Sequence, residues 1–227
     1  MKILYETFFK LILGFIVASI GVVMTINSNL GLSPWDVLHQ GLSKITPLSI
    51  GGACIVVGLI VVAFSMFLGV NLGIGTILNT ILMVIFIDWI TYFNFIPFCN
   101  NFFTGIIMMI IGMFLLALGT YLYMSCGLGC GPRDGLMVAL TRITKKPVKI
   151  IRGIIELCAM TAGWFLGGYV GIGTIITALG VGYCVQIIFT LFKFDANSVH
   201  HKSIKETFIW IKDCLCSNTN TYDNLSI

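Results

Sequence analysis

The sequence predicts an all-α, polytopic membrane helix bundle built from two homologous repeats, and three observations predict it. Of the 227 residues, 58% are hydrophobic and only 10% charged, with a mean hydropathy of +1.02; soluble domains carry roughly a quarter charged residues. Apolar stretches long enough to cross about 30 Å of hydrocarbon recur along the chain. The two halves match each other at one fixed offset. Such a composition excludes soluble enzymes, secreted disulfide scaffolds and nucleic-acid binding, and makes the lipid bilayer the first expected partner.

Six stretches have spanning length: 8–26, 50–68, 74–93, 102–124, 150–168 and 172–192. Lys2 and Lys10 precede or enter the first, but no small-residue cleavage site follows, so it reads as a retained span rather than a signal peptide. The connections 69–73 and 169–171 are short and glycine-rich, predicting tight hairpins between the second and third spans and between the fifth and sixth. The connections 27–49 and 125–149 are long.

An offset of 98 positions pairs Gly31, Pro34 and Asp36 with Gly129, Pro132 and Asp134. The same offset pairs Leu38, Leu42, Ile45 and Thr46 with Leu136, Leu140, Ile143 and Thr144. It aligns Phe67-Leu68-Gly69 with Phe165-Leu166-Gly167, Gly73-Ile74-Gly75-Thr76-Ile77 with Gly171-Ile172-Gly173-Thr174-Ile175, and Gly14 and Gly21 with Gly112 and Gly119. Apolar composition accounts for the Leu and Ile matches but not for those of Pro, Asp and Thr. Residues 1–192 are thus expected to form a membrane domain of two repeats, about 8–93 and 102–192, followed by a tail, 193–227.

Within each long connection, proline opens a short amphipathic helix of about 12 residues, about 18 Å long. Leu38, Leu42 and Ile45, like Leu136, Leu140 and Ile143, repeat at helical spacing. With a cytoplasmic N-terminus and six crossings, every Lys and Arg except Lys44 lies inside, both termini are cytoplasmic, and the repeats insert in opposite senses. If the short helices cross fully, the repeats are parallel instead. Their length and polarity favour a re-entrant or half-helix form. In the tail, Ile204, Phe208, Ile211 and Leu215 mark one face of a helix lying on the bilayer, and residues 217–227 are expected to be disordered.

The candidate pathway residues are Gly31, Pro34, Asp36, Gly129, Pro132, Arg133, Asp134, Arg152 and Glu156. Non-helical backbone at membrane depth persists only where protein or a water-filled cavity satisfies it, and helix N-termini attract anionic groups. Asp36 and Asp134 either cap their own helices or face a shared site. Arg133, which replaces Trp35 at the repeat offset, either makes one side of the pathway selective or is an interfacial arginine. His39 either titrates or serves as an interfacial hydrogen-bonder. Glu156 is costly within a span unless paired, and Arg152, one turn earlier, is its expected partner; the pair is either a structural lock or a relay. Gly73, Gly75 and Thr76, with Gly171, Gly173 and Thr174, are expected to pack the helix hairpins, the threonines as N-caps. Asp88 reads as interfacial, beside Trp89 and Tyr92.

The eight cysteines suggest no disulfide framework or metal site. Without a His-Glu metal motif, a Gly-x-Ser-x-Gly or paired carboxylates at helical spacing, no catalytic residue, metal or cofactor is expected.

The run Gly129-Cys130-Gly131-Pro132-Arg133-Asp134-Gly135-Leu136-Met137, then Arg152 and Glu156, then Gly167-Gly168 and Gly171-Ile172-Gly173-Thr174, resembles the signature of YczE/YyaS/YitT-type bacterial integral membrane proteins. Gly31-Leu32-Ser33-Pro34-Trp35-Asp36 is similar to it as well. The resemblance spans about residues 8–192. It implies a protein of the bacterial cytoplasmic membrane and export of small molecules, and carries over no catalytic residue. The expectation is therefore a small-molecule transporter or exporter with its site between the repeats; the alternative is a membrane scaffold or regulator acting on a partner through the basic 133–149 segment and the tail.

Overall fold

Prolines, glycines and caps divide the chain into helices, which a computed structural model describes for residues 2–48, 50–70, 73–196, 198–199 and 201–222. In order these are α1 (Lys2–Asn27), α2 (Pro34–Ile45), α3 (Ile50–Phe67), α4 (Ile74–Tyr92), α5 (Phe102–Met124), α6 (Pro132–Thr144), α7 (Val148–Phe165), α8 (Ile172–Leu191) and α9 (Ile204–Tyr222). No strand occurs among the described residues.

Four helices, α1, α4, α5 and α8, are long and apolar enough to cross a membrane. The six expected spans thus reduce to four by this measure. α3 and α7 have 18 residues each, about 27 Å, and α7 carries Lys149, Arg152 and Glu156. The short helices α2 and α6 have 12 and 13 residues. Ile77, Ile81, Val84 and Ile85 on α4, and Ile172, Ile175, Leu179 and Ile187 on α8, stay exposed at helical spacing. An apolar face of this extent on the outside of a helix bundle is solvated by lipid rather than water.

The centre of the bundle is the crossing of α1 and α5, which run antiparallel. A Cβ at Gly14 would lie 2.7 Å from the Tyr123 nitrogen, and one at Gly112 would lie 2.8 Å from the Gly21 carbonyl oxygen. Only glycine admits this approach, and in lipid such backbone contact is a main source of helix association. α4 packs on α1 and α8 on α5, while α2 lies against α7 and α6 against α3.

Two backbone hydrogen bonds tie the halves reciprocally. Gly75 N–H donates to the Leu128 carbonyl at 2.7 Å, and Gly173 N–H donates to the Leu30 carbonyl at 2.8 Å. The glycines of the opening turns therefore meet the turn of the opposite half. α7 and α8 pack side by side as expected of a hairpin, whereas α3 makes its main contacts with α6 and α2 rather than with α4. The threonines are not N-caps: Gly73 and Gly171 hold the extended N-cap position, so Thr76 and Thr174 fall in the first helical turn. Thr174 reaches back from there, its hydroxyl accepting from the Gly171 N–H at 3.1 Å and donating to the Leu32 carbonyl at 2.7 Å.

Most basic residues gather at one end. Lys10 lies 5.3 Å from the Tyr121 ring centre, Tyr121 stacks on Phe192 at 4.4 Å, and Lys202 N–H donates to the Gly127 carbonyl at 2.8 Å. The start of α1, the ends of α5 and α8 and the approach to α9 thus share an end. At the other, Asn27 Nδ2–H donates to the Ile96 carbonyl at 2.6 Å, and Lys44 Nζ–H donates to the Gly167 carbonyl at 2.6 Å. α9 turns Thr207 and Trp210 toward the bundle. It continues to Tyr222, so residues 217–222, expected without structure, prolong the helix; 223–227 lie outside the described residues.

Gly112→Leu must force α1 from α5 and is expected to destabilise the protein by about 1–3 kcal/mol. Gly58 has no atom within 4 Å of an added Cβ, so Gly58→Ala, in a helix interior, is expected to be neutral or stabilising by about 0.5–1 kcal/mol. Unfolding of the purified protein in detergent compares the two.

Candidate functional site

The two proline-started turns meet. α2 opens with Pro34 after Ser33, and α6 with Pro132 after Gly131. The Arg133 guanidinium carbon lies 4.8 Å from the centre of the Trp35 ring, a cation–π distance. Trp35 is 5% exposed, and its indole Nε1–H has no hydrogen-bond partner among the described residues. Trp35 and Arg133 are 98 positions apart in the sequence, the spacing that also separates Pro34 from Pro132.

Behind Arg133 lies a buried polar network. Asp134 accepts from the Tyr123 hydroxyl and forms an ion pair with Arg152. The Arg152 Nε is 3.2 Å from Glu156 Oε1, the one-turn pair expected from the spacing. Asp134, Arg152 and Glu156 are 7%, 5% and 4% exposed. Two carboxylates share one guanidinium here, and Arg133 is within electrostatic reach of Glu156. The adjacent Arg133 and Asp134 do not pair: consecutive helical residues point about 100° apart, so Arg133 turns to α2 and Asp134 to α5 and α7.

The first half is built differently. Ser33 Oγ accepts from the Asp36 N–H at 3.3 Å and donates to Asp36 Oδ2 at 2.6 Å, so serine and aspartate cap the helix together. Asp36 also lies 3.7 Å from His39 Nδ1; the His39 side chain is 4% exposed and that of Asp36 41%. His39 sits beside the Cys54 thiol. Glycine replaces Ser33 at position 131, leaving α6 without a side-chain cap and Asp134 without a serine to hold it. At the positions of Tyr123, Arg152 and Glu156 the first half has Thr25, Cys54 and Gly58, so no equivalent ionic network forms there.

Gly31 and Gly129 hold the turns against the opposite half. Both have positive φ, 142° and 122°, which a side chain would strain. A Cβ on Gly31 would lie 3.0 Å from the Gly171 Cα, and one on Gly129 would lie 3.0 Å from the Gly73 Cα. Beside Pro132, between Ser65, Thr76, Cys130 and Gly135, the remaining space is about 10 Å³, room for no more than about one water. The two turns are in contact through Arg133 and Trp35.

Tyr123 was not singled out by sequence reasoning. Tyr121 and Tyr123 both stand in the last turn of α5, and the sequence does not tell which of the two phenols faces Asp134. Trp35 enters the sequence reading as the position that Arg133 replaces and within the Gly31–Asp36 run, but not as a site residue. Asp88 lies outside this cluster, next to the exposed Trp89 and close to Tyr92.

Arg152→Ala leaves two buried carboxylates sharing no cation and is expected to destabilise the protein by about 3–5 kcal/mol. Arg152→Met with Glu156→Gln and Asp134→Asn removes all three charges together and is expected to cost less than the single change. Unfolding in detergent ranks the variants; equal losses would mean that the charges are not coupled.

Comparison with known proteins places this arrangement in a group. A family described as a family of unknown function, DUF6198, matches residues 5–190. The chain is 39% identical over 176 residues to the uncharacterized membrane protein YczE of Bacillus subtilis, covering 76% of this chain and 80% of that one. It is 34% identical over 187 residues to an uncharacterized protein of Haemophilus influenzae, covering 82% and 85%. To the Bacillus subtilis protein YyaS it is 27% identical over 180 residues, covering 77% and 88%. No solved structure matches. With the family match running through nearly all of α1 to α8, including both proline turns and the Asp134–Arg152–Glu156 network, the chain belongs to DUF6198.

Proposed function

We propose that the chain is a small-molecule transporter or exporter of the bacterial cytoplasmic membrane, built from two inverted repeats and working by alternating access around the joined turns of α2 and α6. The observation that carries this reading is the contact of Arg133 with Trp35, which brings two interrupted, proline-started elements from opposite halves onto one buried ionic network. Helix N-termini meeting at the junction of two repeats are the pattern of secondary transporters. The offset of 98 and the reciprocal bonds Gly75–Leu128 and Gly173–Leu30 support the repeats, and the antiparallel α1/α5 crossing supports their inversion.

Energetics point the same way. Buried ions are costly in a membrane and make a pathway the default hypothesis for such a cluster. Asp134 and Glu156 compete for Arg152, so protonating either carboxylate, or seating a substrate anion on the guanidinium, redistributes the pairing beside the α2/α6 contact. The clustering of Lys10, Arg142, Lys145, Lys146, Lys193 and Lys202 toward one end supports a cytoplasmic location for that end and for both termini.

Labelling of single cysteines tests the topology. Lys145→Cys is expected to react with an impermeant reagent only from inside the cell and Lys44→Cys only from outside; reaction of both from the same side overturns the inverted arrangement. Proteoliposomes test the activity. Vesicles carrying the protein are expected to move members of a panel of small organic ions and neutral solutes, with and without a pH gradient, faster than empty vesicles. Glu156→Gln is expected to slow this flux about tenfold or more, equivalent to about 1.4 kcal/mol on the barrier, while elution and melting stay those of a folded protein. Flux equal to that of empty vesicles throughout the panel, with a protein partner held through α9, would replace the transporter with the scaffold reading.

A further inference from the structure

A cleft of about 570 Å³ lies at the basic end, between the α6–α7 connection, the last turns of α8 and residues 194–196. Its volume is that of a small-molecule site. Arg142, Lys145 and Lys146 line one side, and Gln186, Phe189 and Phe194 line the other. Among the described residues no ion pair engages any of the three cations. Asp195 is the acidic residue of the lining, outnumbered three to one.

Thr141 marks the cleft as more than a patch of surface lysines. It lines the space, is 4% exposed, and its hydroxyl has no hydrogen-bond partner among the described residues. Three other helical threonines satisfy themselves on the carbonyl one turn back: Thr120 on Leu116, Thr144 on Leu140 and Thr161 on Leu157. Thr141 does not, and a buried hydroxyl left unpaired is costly. The matching place in the first half is closed on itself. Ser43 donates to the Gln40 carbonyl at 2.8 Å, and Lys44, at the position of Arg142, donates to the Gly167 carbonyl at 2.6 Å. Only the α6 side keeps a hydroxyl and its neighbouring cation unspent. The N-terminus of α7 opens onto the same space at Pro147 and Val148, and adds a partial positive charge.

We infer that this cleft binds a phosphate group, held by Arg142, Lys145 and Lys146 and hydrogen-bonded by the Thr141 hydroxyl. Planar or spherical donors in this number match a phosphate's several acceptor oxygens. The apolar flank of Phe189, Phe194 and Val148 leaves room for the non-polar part of a phosphorylated molecule. Two sources supply such a group: the headgroup of an anionic phospholipid and a soluble phosphate. The site is distinct from the Asp134–Arg152–Glu156 network, and it stands whether or not the chain transports.

The full-length protein, purified and delipidated in detergent, is tested with cardiolipin and phosphatidylglycerol against phosphatidylcholine by native mass spectrometry, and with inorganic phosphate by titration calorimetry. Retention of the anionic lipids alone assigns the site to a headgroup; binding of inorganic phosphate assigns it to a soluble phosphate. Either binding is expected to weaken about tenfold in Thr141→Val, the loss of one hydrogen bond to a charged group, to survive Thr141→Ser, and to be abolished in Arg142→Gln with Lys145→Gln and Lys146→Gln. In the absence of any phosphate probe, Thr141→Val is expected to melt at the same temperature as the parent or higher, so lost binding is not lost folding. Should the triple variant fail to fold, the single change Lys146→Gln replaces it. Binding of neither probe, or binding indifferent to Thr141→Val and to the lysine changes, overturns the inference.

Discussion

In a chain solvated by lipid, an interrupted helix is tolerable only if something other than water satisfies the backbone at the break. Here each half supplies what the other lacks. The carbonyl of Leu128, just before the α6 turn, takes its hydrogen from Gly75, and that of Leu30 takes its hydrogen from Gly173. The glycines at 31, 73, 129 and 171 follow from this exchange, because the two backbones come too close for side chains. Once the turns are held in this way, the N-termini of α2 and α6 face each other, and the contact of Arg133 with Trp35 is a consequence.

The same frame carries two different chemistries. A serine at 33 holds Asp36 to its own helix. A glycine at 131 offers Asp134 no such anchor, and the carboxylate goes to Tyr123 and Arg152. One hydroxyl in the capping position separates a local cap from a bundle-spanning ionic contact. The difference recurs at the far ends of the same helices, where Lys44 is bound to a carbonyl and Arg142 is not.

Much of the helical plan was legible in the sequence. α5 begins and ends where the apolar run does, and α2 and α6 start at their prolines. The pairing of Arg152 with Glu156 was readable from spacing alone. Which helix lies on which was much less readable. In water an amphipathic pattern shows the buried face; in lipid α8 is apolar all round, and its pattern identifies no neighbour. The short glycine-rich connection between α3 and α4 predicted a tight hairpin, whereas α3 lies on α6 and α2. Tyr123 was missed for a related reason: an aromatic residue in an apolar span signals nothing until its hydroxyl is seen to point at a charge. The threonine positions depended on where the helix begins, and the extended backbone of Gly73 and Gly171 moved that start earlier than the threonines.

The exchange between Gly75 and Leu128 also bears on biosynthesis. Translation delivers α4 before α5 exists, so the first turn of α4 leaves the ribosome with its donor unmatched. The N-terminal half therefore enters the bilayer unfinished and stays so until the Leu128 segment arrives. Insertion of the early helices and closure of their packing are separate events, and a chain cut between the halves would hold two fragments, each presenting the other's missing partner.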